Sequence, residues 1–304
     1  MDSAHKIVDI VRTLAADNGF AEVGFTLSEK LDIEMTRYCR AMNRGDFAEL
    51  EYLKRNCEKR ENPALLVDGA KSIIVFLMPY GTQTQMKEEF IQLCQAQDNG
   101  AASEQYSTYK VAQYALGDDY HRVIKENLHA ILACMQEIDN SIHGRVFVDT
   151  APVMERAWGV KSGLGFIGKN NFLISRKAGI RNFIGVIISN FEIPQDVLDD
   201  CRQKAAEHTR RNFCGQCNRC IEACPTKALS PYRLDARRCT SYLTIENKQT
   251  TLQLNIEKAS ERGNWIFGCD ACMNACPWNS RNQKSRPEFL QQVFPIPHSH
   301  LKRR

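Results

Sequence analysis

Eight of the thirteen cysteines fall between positions 214 and 276, and their spacing is that of iron–sulfur ligands. Cys214, Cys217, Cys220 and Cys224, closed by Pro225, fit C-x2-C-x2-C-x3-C-P, the bacterial ferredoxin run for a [4Fe–4S] cluster. Three thiolates from one loop reach three irons. The fourth cysteine, beside the proline, starts a helix that points to a second cluster. A second run exists: Cys269, Cys272 and Cys276 before Pro277 give C-x2-C-x3-C-P without the leading cysteine, and Cys239 is the nearby candidate for it. The pattern predicts two sites, one of Cys214, Cys217, Cys220 and Cys276, the other of Cys224, Cys239, Cys269 and Cys272. A pair of zinc sites is the competing reading, since C-x2-C is also a zinc spacing. Zinc ribbons do not usually chain such steps and close both runs with C-P. Electron transfer alone would not need the two hundred residues in front.

Those residues hold further candidate chemistry. Val148-Asp-Thr150 places an acid at the end of an apolar strand, where desolvation would favour its neutral, proton-donating form. The competing role for Asp149 is to cap a helix beginning near Pro152. Asp119 and His121 are second candidates for the same pocket, with capping or core-polar roles as the alternative. The loop Ser162–Asn170 matches G-x-G-x-x-G, and a P-loop up to Asn170. Either reading needs a strand before the loop and a helix after it. Here a short helix, Pro152–Lys161, precedes it and strands follow. The glycines therefore read as a tight turn that permits close approach to something flat or bulky.

The elements that must position these groups form an α+β pattern. Helix is predicted near 3–17, 29–55, 119–139 and 195–209, and strand near 21–27, 71–79 and 145–150. Two more strands, 171–175 and 182–189, are read as joined by a turn at Lys177–Ile180. Residues 82–107 read as an exposed polar insertion. The domains implied are an N-terminal α/β domain over 1–195, a ferredoxin-like domain with two [4Fe–4S] clusters over 196–285, and a tail over 286–304. The 304 residues are 43% hydrophobic and 25% charged, ordinary for a globular protein. No apolar run is long enough to span a bilayer. The N-terminus lacks the pattern of a signal peptide or twin-arginine signal, so a cytoplasmic protein with no membrane partner is expected, with a monomer as the default. Cys39, Cys57, Cys94, Cys134 and Cys201 are scattered and read as thiols, not disulfides. The net charge of +4 divides into +10 over 201–304 and −6 over 1–200. A basic C-terminal third is either a footprint for a phosphate backbone or a solvated face.

Several blocks in order resemble the epoxyqueuosine reductases, cobalamin-dependent iron–sulfur enzymes of tRNA modification. They are Tyr114–His121, Val148–Pro152 with Glu155-Arg156, Gly163–Asn170, Cys239–Glu246, Ile266–Cys272 and Cys276–Asn279. The resemblance implies reduction of epoxyqueuosine to queuosine at the tRNA wobble position, the last step of queuosine biosynthesis. Two electrons and two protons are consumed and water is lost. The clusters would feed cobalamin, itself supplied by an unknown low-potential electron donor. Asp149 matches the family's catalytic aspartate. Arg60 and Arg156 match arginines of the cobalamin pocket, with surface ion pairs as the alternative. Leu173 would offer backbone groups to the corrin. Thr240, Asp270 and Ala271 would line the corrin beside the second cluster. Many members carry C-terminal HEAT-like repeats, whereas this chain stops soon after Trp278. Phosphate contacts are then expected from the basic ferredoxin-like part, with Arg210, Arg211, Arg237 and Arg238 as candidates. His121 is not expected to ligate cobalt, because Ile124 stands where D-x-H-x-x-G requires glycine. Other readings are an electron carrier with a docking domain, a reductive dehalogenase-like protein, and a zinc-stabilised nucleic-acid module.

Overall fold

The structure is a computed structural model that describes residues 2–80 and 109–281. The expected insertion at 82–107, Cys94 and the tail lie outside the described residues. In chain order the main elements are α1 (Ser3–Asp17), β1 (Glu22–Leu27), α2 (Asp32–Asn43), α3 (Glu51–Lys54), α4 (Cys57–Glu61), β2 (Ser72–Pro79) and β3 (Lys110–Val111). There follow α5 (Tyr120–Ile138), β4 (Gly144–Phe147), α6 (Glu155–Lys161), β5 (Phe166–Ile167), β6 (Leu173–Ile174), β7 (Asn182–Ser189) and α7 (Gln195–Arg210). The cysteine-rich part adds α8 (Arg219–Glu222), β8 (Leu229–Ser230), β9 (Arg233–Leu234), α9 (Leu252–Glu257), β10 (Trp265–Phe267) and α10 (Ala271–Asn274).

The central sheet has the order β1-β2-β7-β4, and every neighbouring pair is antiparallel. β2 is buried along its whole length because helices cover both faces. Ile74, Phe76 and Met78 join the core built with α1 and α5, while Ile73, Val75 and Leu77 join the core around Trp158, Leu31 and Met35. The unbroken apolar run of β2 follows from that two-sided cover. On α5, Val123, Ile124, Leu128, Ile131, Leu132 and Met135 form the buried helical stripe.

Three expectations are corrected. The helix read over 29–55 is two separate helices, α2 and α3, interrupted where Gly45 and Ala48 take positive φ, and α4 follows beyond it after Asn56, also at positive φ. Leu173–Ile174 does not pair with β7. It pairs antiparallel with Phe166–Ile167, so β5 lies within the glycine loop and the residues from Gly168 to Phe172 form the turn of a hairpin. α7 belongs with the N-terminal layers, since Val197, Leu198 and Cys201 enter the same core as α1 and β1.

The two parts of the chain share interior. β10 pairs in parallel with β3, with Trp265 opposite Lys110. Phe166 stacks on Phe213 at 4.8 Å and meets Trp278 edge-on at 5.5 Å. Arg181, fully buried, donates to Asp270 at 3.2 Å, to Asn279 at 3.0 Å and to Asn274. Removing one partner of such a pair leaves a buried charge, at a cost of about 3–5 kcal/mol. Among the described residues, no helix is long and apolar enough to cross a membrane.

Candidate functional site

The cysteines gather as two groups. A cavity of about 340 Å³ is lined by Cys214, Cys217, Cys220 and Cys276 together, with Trp278 and Lys169 at its wall. After burial, the charges that most raise the Cys276 thiol are those of Cys220, Cys214 and Cys217. Cys269 is raised by burial and then by Cys239 and Cys224, and Cys272 by burial, Cys269 and Cys239. The first predicted foursome thus lines one cavity, while Cys272, after burial, is raised by Cys220 of that set as well as by Cys269 and Cys239. Burial pushes Cys269 up to about 12 and Cys276 up to about 11, so without metal these are neutral thiols. Loading a cluster must expel their protons.

The glycine loop proves to be a clamp on the first cysteine run. Lys169 Nζ donates to the carbonyls of Gly215 (2.9 Å) and Cys217 (3.0 Å) and to Asn218 Oδ1 (3.0 Å). A Cβ on Gly165 would collide with the Ile174 carbonyl, and one on Gly163 would lie 2.7 Å from the Cys201 carbonyl. The close approach that the glycines allow is to the protein's own backbone. Hydrogen bonds from a charged donor are worth about 1.5–3 kcal/mol. Lys169→Met is therefore expected to speed loss of iron from the first site to a chelator, followed by the bleaching of cluster absorbance. An unchanged bleaching rate would remove Lys169 from that role.

Asp149 sits at the second focus. It follows β4 with φ 56°, in the left-handed region, and the Thr150 N–H reaches back over it to the Val148 carbonyl at 2.6 Å. That three-residue γ-turn turns the carboxylate out of the strand, and its side chain is 68% exposed. Tyr120 Oη donates to Asp149 Oδ2 at 2.7 Å, and His121 Nε2 stands 3.5 Å from the same oxygen. His121 is held in turn by Asp119, whose Oδ1 lies 2.9 Å from Nδ1 and also caps α5. Tyr120 is sandwiched between His121 at 4.0 Å and Phe183 at 4.2 Å.

This corrects the expected electrostatics. Asp149 is not desolvated into a neutral acid. The hydrogen bond from His121, with help from Tyr120, holds its carboxyl below the usual range. The same bond raises His121, and burial followed by the Asp149 charge raises Tyr120. The proton therefore rests on the His121 side of a shared pair. Nor does Asp149 cap a helix: α6 begins at Glu155 and has no side-chain cap. The charge of Asp149 also raises Tyr52, Tyr114, Glu155 and Glu246, in each case after burial. Glu246 lies in the cysteine-rich part, so the charge of Asp149 is felt across to that part. Sequence reasoning missed Tyr120, Glu155 and Lys169 as site residues. The first two lay inside quoted blocks, and the third sat in the glycine motif.

The remaining candidates divide. Arg60 is buried, makes no ion pair among the described residues, and lies 5.7 Å from the Tyr38 ring. One of its nitrogens donates to the Tyr52 carbonyl at 3.1 Å, while its Nε has no partner. Thr240 is 2% exposed and its Oγ1 is also without a partner. Two buried polar groups left open suit a polar ligand, because an unpaired buried donor is costly. Arg156 is exposed and donates to the Asn171 carbonyl at 2.5 Å. Leu173 is buried against Gly159, which leaves only its backbone for a ligand. The Asp270 carboxylate is turned inward, bound to Arg181 and accepting from the Gln113 N–H at 2.8 Å. Asp270 and its neighbour Ala271 can offer a corrin only backbone or methyl contact. Of the candidate phosphate contacts, Arg211 pairs with Glu207 and Arg237 with Asp235. Arg210 and Arg238 have no ion pair among the described residues.

The chain is similar to known proteins along its length. A family model described as a 4Fe-4S double cluster binding domain matches residues 213–279, which decides for iron–sulfur over zinc. A model described as epoxyqueuosine reductase QueG matches residues 60–150. The epoxyqueuosine reductase of Leadbetterella byssophila is 36% identical over 94% of this chain and 83% of its own. That of Pseudomonas aeruginosa is 35% identical over 90% of this chain and 69% of its own. A crystal structure of an epoxyqueuosine reductase with an epoxyqueuosine-modified tRNA-Tyr stem loop has a TM-score of 0.73, at 24% identity over 95% of this chain and 70% of that one.

Proposed function

The chain belongs to the epoxyqueuosine reductase family, and from that premise we propose how its two foci divide the reduction of epoxyqueuosine to queuosine in tRNA. The cysteine-rich part carries electrons through two [4Fe–4S] clusters, and the Asp149 pocket delivers protons. The observation that carries the reading is the setting of Asp149, in the turn after β4, where Tyr120 Oη donates to its Oδ2 at 2.7 Å and His121 Nε2 stands 3.5 Å from the same oxygen. Epoxide loss takes two electrons and two protons, breaks both carbon–oxygen bonds of the ring to leave a double bond, and releases water, so electron and proton sources must converge on the epoxide.

Cobalamin, the cofactor inferred here, would supply a reduced cobalt centre able to open the epoxide. Arg60 and Thr240 are the residues we assign to it, on the strength of their open buried polar atoms, with backbone at Leu173, Asp270 and Ala271. The protein's own groups do the rest. Tyr120 and His121 fix Asp149 Oδ2, and the His121–Asp149 pair holds a proton that Asp149 can pass to the departing oxygen. The stacked Phe183, Tyr120 and His121 keep that geometry rigid. Arg210 and Arg238 are the side chains we assign to phosphate contact. We further read the enzyme as a cytoplasmic monomer that draws on a separate low-potential donor.

The test is anaerobic conversion of tRNA carrying epoxyqueuosine, read as nucleosides by mass spectrometry, with cobalamin supplied or withheld under a strong reductant. Queuosine formed only with cobalamin is the expected result. No product from protein loaded with both clusters and cobalamin would overturn the substrate assignment.

A further inference from the structure

The turn that carries Asp149 is built against its own preference. A non-glycine residue at positive φ is uncommon, and a γ-turn of that hand is strained. The chain then leaves through a second three-residue turn, of the common inverse hand about Pro152, in which the Val153 N–H donates to the Ala151 carbonyl at 2.8 Å. Strained conformations such as that at Asp149 persist only where the surroundings hold them. What holds this one is Glu155. Its Oε1 accepts the Asp149 backbone N–H at 3.1 Å, a bond from the first turn of α6 back across six residues. On the other side Lys125 Nζ reaches Thr150 Oγ1 at 3.4 Å, at the limit of a hydrogen bond.

We propose that Glu155 is a positioning residue for the reduction: by accepting the Asp149 N–H it latches the strained turn so that the carboxylate faces Tyr120 and His121. The inference rests on the proposed proton-delivery role of Asp149 and extends it to a residue whose side chain bonds the turn's backbone. Burial, and then the charge of Asp149, raise Glu155 to about 7, against the opposing charge of Arg156. That leaves the latch between its ionised and neutral forms near neutrality, and an oxygen can accept the amide in both.

Two near-isosteric variants separate the latch from packing. Glu155→Gln keeps a carbonyl oxygen for the Asp149 N–H, while Glu155→Met fills the same space without an acceptor. Hydrogen exchange on the cluster-loaded protein, without substrate, reads the latch directly. Glu155→Met is expected to speed exchange at 148–151 about tenfold, the equivalent of one lost hydrogen bond of about 1.4 kcal/mol. Glu155→Gln should leave it near wild type, and exchange in β2 and β7 should not move in either. In the conversion assay Glu155→Met should lower kcat about ten- to a hundredfold at unchanged KM for tRNA, the scale of a catalytic group misplaced by about an ångström, and Glu155→Gln should restore most of it. Equal exchange at 148–151 in Met and Gln variants would overturn the latch, as would faster exchange spread over the whole sheet. A faster-exchanging turn with wild-type kcat would show that the latch does not serve catalysis. Failure of the wild-type enzyme to convert epoxyqueuosine would instead count against the functional reading and leave the exchange result standing.

Discussion

Asp149→Asn is expected to lower conversion of epoxyqueuosine by about 10²- to 10⁴-fold, the usual worth of a positioned general acid, with tRNA affinity and iron content unchanged. The amide keeps the size of the carboxylate, and its oxygen can still accept from Tyr120. It cannot share a proton with His121, which is the property the geometry isolates. Single-turnover rates with pre-reduced enzyme make the comparison clean, because cluster reduction is then complete before the reaction starts. The pH dependence supplies the sign. His121 is raised above its ordinary 6.5, chiefly by its bond to Asp149. The proton it holds is present at low pH and lost as pH rises through its folded value. Wild-type conversion should therefore fall on the alkaline side, and in Asp149→Asn that fall should move toward lower pH because the anionic partner is gone. A variant that converts at the wild-type rate would remove Asp149 from proton delivery.

How much of this was legible beforehand depends on how far apart the partners lie. β2 could be read from its run of apolar residues, because burial on both faces leaves that trace in local sequence. The double-cluster domain was equally plain, since the spacing of its cysteines is a local signal, and a family model of that description matches residues 213–279. β5 and β6 were not. Each is two residues long, and pairing across a short turn leaves no periodicity to detect. The state of Asp149 was misread for a related reason. A strand end in an apolar context suggests desolvation, but the positive φ swings the side chain into a pocket walled by Tyr120 and His121. Those partners lie 28–29 residues away in sequence, and nothing local announces them. Lys169 was visible only as a broken P-loop lysine. Its acceptors lie 46–49 residues downstream, and one of them is a ligand's own carbonyl. Asp270 shows the converse case, in which the side chain and not the position is taken. Its place between two ligands suggested the corrin, yet Arg181, fully buried 89 residues earlier, claims the carboxylate.

Cys239→Ala is the second change with a large expected effect, and it tests the ligand sets themselves. Cys239 stands thirty residues before Cys269 and belongs to no C-x2-C step, so its assignment rests on three-dimensional placement. Its thiol is raised by burial and, among charges, by Cys224, while Cys269 and Cys272 are each raised by Cys239. Removing this thiolate should leave the site of Cys224, Cys269 and Cys272 with three ligands. Iron should fall from about eight to about four atoms per chain, and the paramagnetic resonance of the reduced protein should change from two interacting clusters to one isolated cluster. The cavity of Cys214, Cys217, Cys220 and Cys276 lies in the other group and should keep its cluster. Cys276→Ala should produce the reciprocal spectrum, because its charge partners are the first three cysteines and not Cys239. Conversion should be lost in both variants, since the proposed electron route crosses both sites. The spectra distinguish the arrangements even where activity cannot. Identical residual spectra from the two variants would mean that the cysteines are shared differently. Retention of about eight irons in Cys239→Ala would remove it as a ligand, and with it the reason for placing Thr240 beside the second cluster.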